Sequence, residues 1–314
     1  MPKSKSIGII RPDVKAIATR AERARLRQRG LSAQERAAEA KRLAADEKRL
    51  RASLAKSMDV AALERFARER EKSDLERAKA AHRRAIAASS DRAKWLAMQS
   101  VPANVLTPAD GEDQFIVDTA LFMRAWPNTG ALRDFSTGPD DNWGKYGLEV
   151  DGDILDTPDE ARLSFYALWQ NPRDVPVTVR TSTRINVNAH VAAHADARYF
   201  MGWIVAGASV DATLRTRFTV SPLWQENTQL VVAEESVGNV AARGGFLGGD
   251  DDTTIFTSVS LDGAITFTVP AGRFLMFETS LVTGWKIDSG NLRVDAEGGA
   301  FRVDVPFWIV TILA

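Results

Sequence analysis

His190 and His194 stand four residues apart. On a helix this spacing puts both imidazoles on one face, where two zinc ligands could meet. The glutamate of a metalloprotease helix is missing between them, and a third ligand would have to be Asp196 or a distant residue. The stretch from Ala189 to Ala197 is short and alanine-rich, so the pair reads as two exposed histidines on a loop or a single helical turn. Oxygen-rich loops offer a different chemistry. Asp151, Asp153 and Asp156, then Asp110, Glu112 and Asp113, and the run Asp250, Asp251 and Asp252 behind two glycines, gather the hard ligands that calcium takes. None has the twelve-residue EF-hand spacing, and Asp-rich turns are also ordinary hairpin punctuation. The expectation is no metal and no cofactor, with calcium the one candidate.

Nucleophiles and acid-base pairs are scarce. Without cysteine there is no disulfide framework, thiolate site or cysteine nucleophile. Glu234, Glu235 and Glu278 fall in strand-like runs, where paired carboxylates could serve a glycosidase, but neighbours in a strand point to opposite faces. Gly207 to Asp211 lacks the second glycine of a nucleophile elbow, and no glycine-rich loop sits between a strand and a helix as a phosphate cradle requires. The chain is therefore read as a non-enzyme. Two features point to binding instead. Arg20, Arg23, Arg25, Arg27 and Arg29 form a dense positive stretch broken only by Glu22, suited to a phosphate backbone, another polyanion or a subunit contact, though no aromatic residues interleave for base stacking. Trp126, Trp143, Trp169, Trp203, Trp224 and Trp285 could build a carbohydrate platform if exposed. Most belong in a core, and Trp143, within the Gly/Pro/Asp-rich stretch 138–147, is expected to be the exposed one.

These residues are positioned by two unlike halves. Of the 41 basic and 41 acidic side chains, residues 1–100 hold 26 and 13, leaving 15 and 28 for the remainder, so a net charge of zero conceals opposed ends. Residues 1–11 read as a basic extension. Residues 12–100 are rich in Ala, Arg, Glu, Lys and Leu with Gly30 as the sole glycine, which predicts two or three helices. Pro12 and Asp13 suit a first turn, Gly30 a C-cap, and Ser32 to Glu35 and Ser73 to Glu76 repeat the spacing of a capping box. The apolar stripe through Leu43, Leu50, Leu54, Leu63, Phe66, Leu75, Ile86, Trp95 and Leu96 drifts off a heptad, so these helices must lie against something else. Residues 101–111, with Pro102 and Pro108, read as a linker.

From residue 112 to 314 the composition turns to Thr, Val, Trp and Gly. About ten strands are predicted: 114–122, 163–170, 175–188, 199–206, 212–220, 229–233, 254–261, 264–269, 273–283 and 300–313. Asp262-Gly263 between two of them is the dipeptide favoured in a two-residue hairpin turn, and the run from Val305 to Leu313 reads as a buried last strand. The fold class is thus α+β by segregation, a helical arm followed by an all-β antiparallel sandwich or jelly roll.

Function follows only in outline. A basic arm too poor in apolar residues to stand alone, attached to an acidic sandwich, points to a structural subunit. It would self-associate through the arm into an oligomer, a filament or a virion- or tail-like particle. The alternative is a stalked module whose sandwich recognises carbohydrate or protein. Partners are then other copies of the chain, with nucleic acid or another polyanion as a second class. No apolar run approaches the ~18 residues of a membrane span, and Ile7 to Ile10 is too short for a signal-peptide core. The expected compartment is cytoplasmic synthesis without a signal peptide, with passage into a released particle or appendage in view.

Overall fold

A computed structural model describes residues 13, 15–19, 45, 49, 60–100, 112–126, 130–139, 141–152, 160–196, 208–225, 228–244 and 249–313. One long helix, α1 (Val60–Ser100), precedes the strands. In chain order these are β1 (Asp113–Val117), β2 (Phe122–Trp126), β3 (Gly130–Ser136), β4 (Trp143–Asp151), β5 (Glu160–Gln170), β6 (Val177–Ala195) and β7 (Ser209–Pro222). There follow β8 (Leu230–Arg243), β9 (Gly249–Val269), β10 (Phe274–Ile287), β11 (Gly290–Ala296), β12 (Arg302–Asp304) and β13 (Trp308–Ile312).

The strands make an antiparallel β-sandwich of an eight-stranded and a five-stranded sheet. β6 organises the larger one. β9 pairs along its whole length on one edge, while β13, β12 and β11 pair in succession along the other. β4 pairs β11, β12 and β3, and β1 extends the sheet beyond β13. The smaller sheet runs β2-β5-β10-β7-β8. Period-2 alternation explains the packing: the odd residues of β6, from Val177 and Val179 through Ile185, Val187 and Val191 to Ala195, enter the core between the sheets. They meet Phe165, Leu214, Phe218, Phe277 and Leu281 of the smaller sheet. The buried C-terminal strand adds a polar tie, since Trp308 is fully buried and its Nε1–H donates to Thr279 Oγ1 of the opposite sheet at 2.8 Å.

Helical residues cover both outer faces. α1 lies on the larger sheet along a narrow stripe of His82, Ala85, Ile86, Ser89 and Leu96, the i, i+3, i+4, i+7 pattern of one helix face. Asn188 Nδ2 donates to Ser89 O at 3.1 Å, and Ala300 N–H donates to Ser89 Oγ at 2.9 Å. The backbone of the 298–300 loop approaches so closely because of glycine. Gly299 has φ +58°, and a Cβ there would sit 2.9 Å from Ser89 Oγ. Against the smaller sheet, Asp13 Oδ1 caps the helical residues 15–19 by accepting the Ala16 N–H. Ile17 and Ala18 then pack on Trp126, Tyr166 and Met276. No helix among the described residues is long and apolar enough to cross a membrane.

Several expectations change. α1 runs unbroken through Ser73 to Glu76, so that capping-box spacing starts no helix. Apart from residues 13, 15–19, 45 and 49, the predicted arm before α1, Gly30 and Ser32 included, lies outside the described residues, as do the 101–111 linker and the 199–206 run. The predicted strand 114–122 is two strands, β1 and β2, placed in different sheets. β3, β4 and β11 arise where no strand was predicted. β4 and β11 alternate buried Tyr146, Leu148 and Val150, and Leu292, Val294 and Ala296, with glycine or polar residues, but these short runs lie among the glycines and acidic residues of turn-like stretches. Asp262-Gly263 forms no hairpin. β9 passes straight through it, with register Arg180↔Thr266 followed by Ser182↔Asp262, so four residues of β9 span two of β6 as a bulge. Gly263 suits this position since a Cβ there would lie 2.7 Å from Thr181 O and 2.3 Å from Val232 Cγ1.

Candidate functional site

Between the C-terminal half of α1 and the rim of the larger sheet opens a cleft of about 510 Å³. Each wall follows from local structure. β4 sends Gly144, Tyr146 and Leu148 inward, which leaves Trp143 and Lys145 on the outer face. β12 sets Arg302 beside them, its guanidinium 5.6 Å from the Trp143 ring centroid. Asp134 comes from β3, Gly299 and Ala300 from the loop before β12, and Ser90, Ala93 and Lys94 from α1. Trp143 is half-buried, so part of its indole stays available to a ligand.

The cleft is cationic. Lys145 Nζ donates to Gly299 O at 3.1 Å, which pins the loop, and Lys94 stands 3.5 Å from Asp91 on the solvent side. Arg302 Nε lies 2.9 Å from Asp304 Oδ1. Burial pushes the Asp304 carboxyl up to about 6, against the pull of Arg302. Below that pH the Arg302 charge loses its counter-ion. With Asp134 as the one carboxylate among the residues lining it, the cleft lacks the acid pair of a glycosidase.

The residues singled out in the sequence are distributed as follows. His190 and His194 lie in β6, not on a loop or helical turn, because the strand continues to Ala195. A four-residue spacing still puts them on one face, now through the period of two. His190 is buried, not exposed. The Asp250 to Asp252 run lies in the neighbouring strand β9, so the fold joins two groups read separately: His190 Nε2 to Asp252 Oδ2 is 3.1 Å, and His194 Nδ1 to Asp250 Oδ1 is 2.5 Å. Asp251 faces the other way and accepts the Ala241 N–H at 2.7 Å. No group of three or more His, Asp or Glu that could hold a metal occurs among the described residues. Asp151 ends β4, opposite Asn291, while Asp153 and Arg20, Arg23, Arg25, Arg27 and Arg29 lie outside the described residues.

Glu278 is held on the outer face of the smaller sheet by Arg162 and Ser164, both at 2.9 Å, and by Gln229 at 3.2 Å. Glu234 is clamped by Arg215 and Arg217, each at 2.7 Å. Trp126, Trp169, Trp285 and Trp308 are buried, Trp224 packs at the core's edge, and Trp203 is outside the described residues. His82, which the sequence reading passed over, is the new element. Its signal is the spacing to Ala85, Ile86 and Ser89, a contact stripe made of small and polar residues that a search for leucines misses.

Neither a protein-family model nor a curated protein matches the chain. Similar solved structures include a carbohydrate-binding module in complex with β-1,4-galactotriose (8% identity, 61% of this chain, 90% of that one, TM-score 0.22). A family 35 carbohydrate binding module from Clostridium thermocellum gives 9% identity, 58% and 97% coverage and a TM-score of 0.20. Infectious bursal disease virus Gt strain gives 11% identity, 65% and 38% coverage and a TM-score of 0.20. At these TM-scores the likenesses carry no weight for function, and the fold assignment rests on the strand pairing alone.

Proposed function

We propose that this chain is a non-catalytic binding module whose ligand is a carbohydrate, taken into the cleft between α1 and the larger sheet. The observation that carries this reading is the lining itself: a half-buried tryptophan beside Lys145, Arg302, Asp134 and Lys94, in a space of about 510 Å³. A sugar ring presents C–H faces that pack on an indole and hydroxyls that need several donors and acceptors in fixed places. A single lining carboxylate and no lining histidine favour binding over hydrolysis. A glycan array followed by calorimetry tests it, comparing wild type with Trp143→Ala. Binding weakened at least tenfold by the substitution, at an unchanged melting temperature, supports the reading. Absence of any glycan ligand, or equal binding by both proteins, overturns it.

A second reading, a structural subunit that self-associates through its arm, is favoured by one contact. Ile17 and Ala18 fill a seat of Trp126, Tyr166 and Met276, with Lys15 over the Phe122 ring at 5.7 Å and Arg124 Nη1 donating to Thr19 Oγ1 at 3.3 Å. In this reading the segment is exchanged between copies, so that residues 15–19 of one chain take the seat on the sandwich of another. A mass measurement that finds only monomer at high concentration opposes this reading.

A further inference from the structure

α1 meets the larger sheet through two of the chain's three histidines. His82 of α1 and His190 of β6 face each other with their Nδ1 atoms 3.2 Å apart and ring centroids 5.0 Å apart. On the far side of each ring stands a carboxylate. His82 Nε2 is 2.9 Å from Asp295 Oδ2 of β11, and His190 Nε2 is 3.1 Å from Asp252 Oδ2 of β9. Carboxylate, imidazole, imidazole and carboxylate thus form one hydrogen-bonded row from the sheet through the helix and back. Asp295 is fixed in place, as its Oδ1 accepts the N–H groups of Glu297 and Gly298, both at 2.8 Å.

The row contains a proton count. A carboxylate accepts only, so each Nε2 must carry a hydrogen, and the contact between the two Nδ1 atoms needs one more. Three hydrogens are required, and two neutral imidazoles carry two. With two, either the Nδ1 lone pairs face each other or a bare Nε2 faces a carboxylate. With four, N–H meets N–H across 3.2 Å. We propose that the docked pair holds one excess proton as an imidazole–imidazolium couple flanked by Asp295 and Asp252, and that the seating of α1 on the sheet is therefore lost toward both acid and alkaline pH.

The surroundings agree. Burial disfavours charge on His82, Asp295 opposes that, and His190 and Arg293 of β11 add to it, so the His82 pKa is held below its ordinary 6.5. A histidine depressed in this way contributes stability above its ordinary pKa and loses it as pH falls through the folded value, which places the fourth proton, and the acid limb, on His82. On α1 itself the nearby cations Lys79 and Arg83 are exposed, and His194 of β6 is engaged with Asp250 and Asp196.

Hydrogen exchange of α1 in the full chain, from pH 4.5 to 8.5 and corrected for intrinsic rates, tests this independently of any ligand. Protection of residues 82–96 should peak in the middle of the range and fall on the acid side by about tenfold per pH unit, the slope of one proton. His82→Gln should flatten the profile. Asp252→Asn, at a half-exposed position, should move the alkaline limb to lower pH by removing one counter-charge. A flat wild-type profile, or superimposable profiles for wild type and His82→Gln, overturns the inference. Stoichiometric zinc uptake at neutral pH lost in His82→Gln overturns it too, since a metal would take both Nδ1 lone pairs.

Discussion

Replacing Asp304 by asparagine should turn a pH-dependent cost into a constant. The carboxyl titrates at 3.8 in an unfolded chain and is pushed up to about 6 in the fold, chiefly by burial. At about 1.4 kcal/mol per tenfold in proton affinity, keeping it ionised above pH 7 costs the fold about 3 kcal/mol relative to keeping it neutral. The sign follows from proton counting: between these two values the folded state holds more of the proton, so this group lowers stability as pH rises from 4 to 6 and leaves it level thereafter. Asparagine mimics the neutral form at every pH. Urea unfolding of both proteins at pH 4 and pH 7.5 gives two differences in stability, and subtracting them cancels the contribution of the substitution that does not titrate. The expected result is a gain of about 3 kcal/mol for Asp304→Asn at the higher pH, or roughly 1 M in the midpoint at an m-value near 3 kcal/mol/M. A difference that is the same at both pH values refutes the reasoning, and with it the pH-dependent loss of the Asp304 counter-ion beside Arg302 in the cleft.

Two further outcomes test the sandwich. Glu278→Ala strips the guanidinium of Arg162 of its carboxylate partner in a site where both side chains are under 6% exposed, and should cost about 3–5 kcal/mol by chemical denaturation. The paired substitution Arg162→Met with Glu278→Leu should recover most of that loss, and a small effect of Glu278→Ala alone would show the pair to be hydrated. Gly263→Ala places a methyl 2.7 Å from the Thr181 carbonyl and should cost about 1–3 kcal/mol, whereas an unchanged melting temperature would argue that the chain turns at Asp262-Gly263 after all.

Local composition was sufficient for the broad division. Helix formers before residue 100, β-branched and aromatic residues after 112, and an apolar run near the C-terminus place α1, most strands and the buried Trp308. These signals lie within a few residues of one another in the chain, so no knowledge of distant partners is needed to read them. The rest depends on partners. Asp262-Gly263 has the chemistry of a turn, but β6 offers nineteen residues of unpaired edge, and continuing along it satisfies more backbone groups than folding back would. β4 and β11 alternate apolar and polar positions only over short runs set among glycine and charge, and their long-range neighbours in the sheet make them strands. The same holds for the sites. His190 and His194 looked like a pair with each other, yet their partners are Asp252, Asp250 and His82, the last 108 positions away. Trp143 was singled out from its surroundings in the sequence. Lys145 lies two positions along the same strand, but Lys94 and Arg302 come from a helix and a strand far away in the chain. Residue type and spacing name the groups able to do chemistry, and the long-range pairing of β6 decides which of them meet.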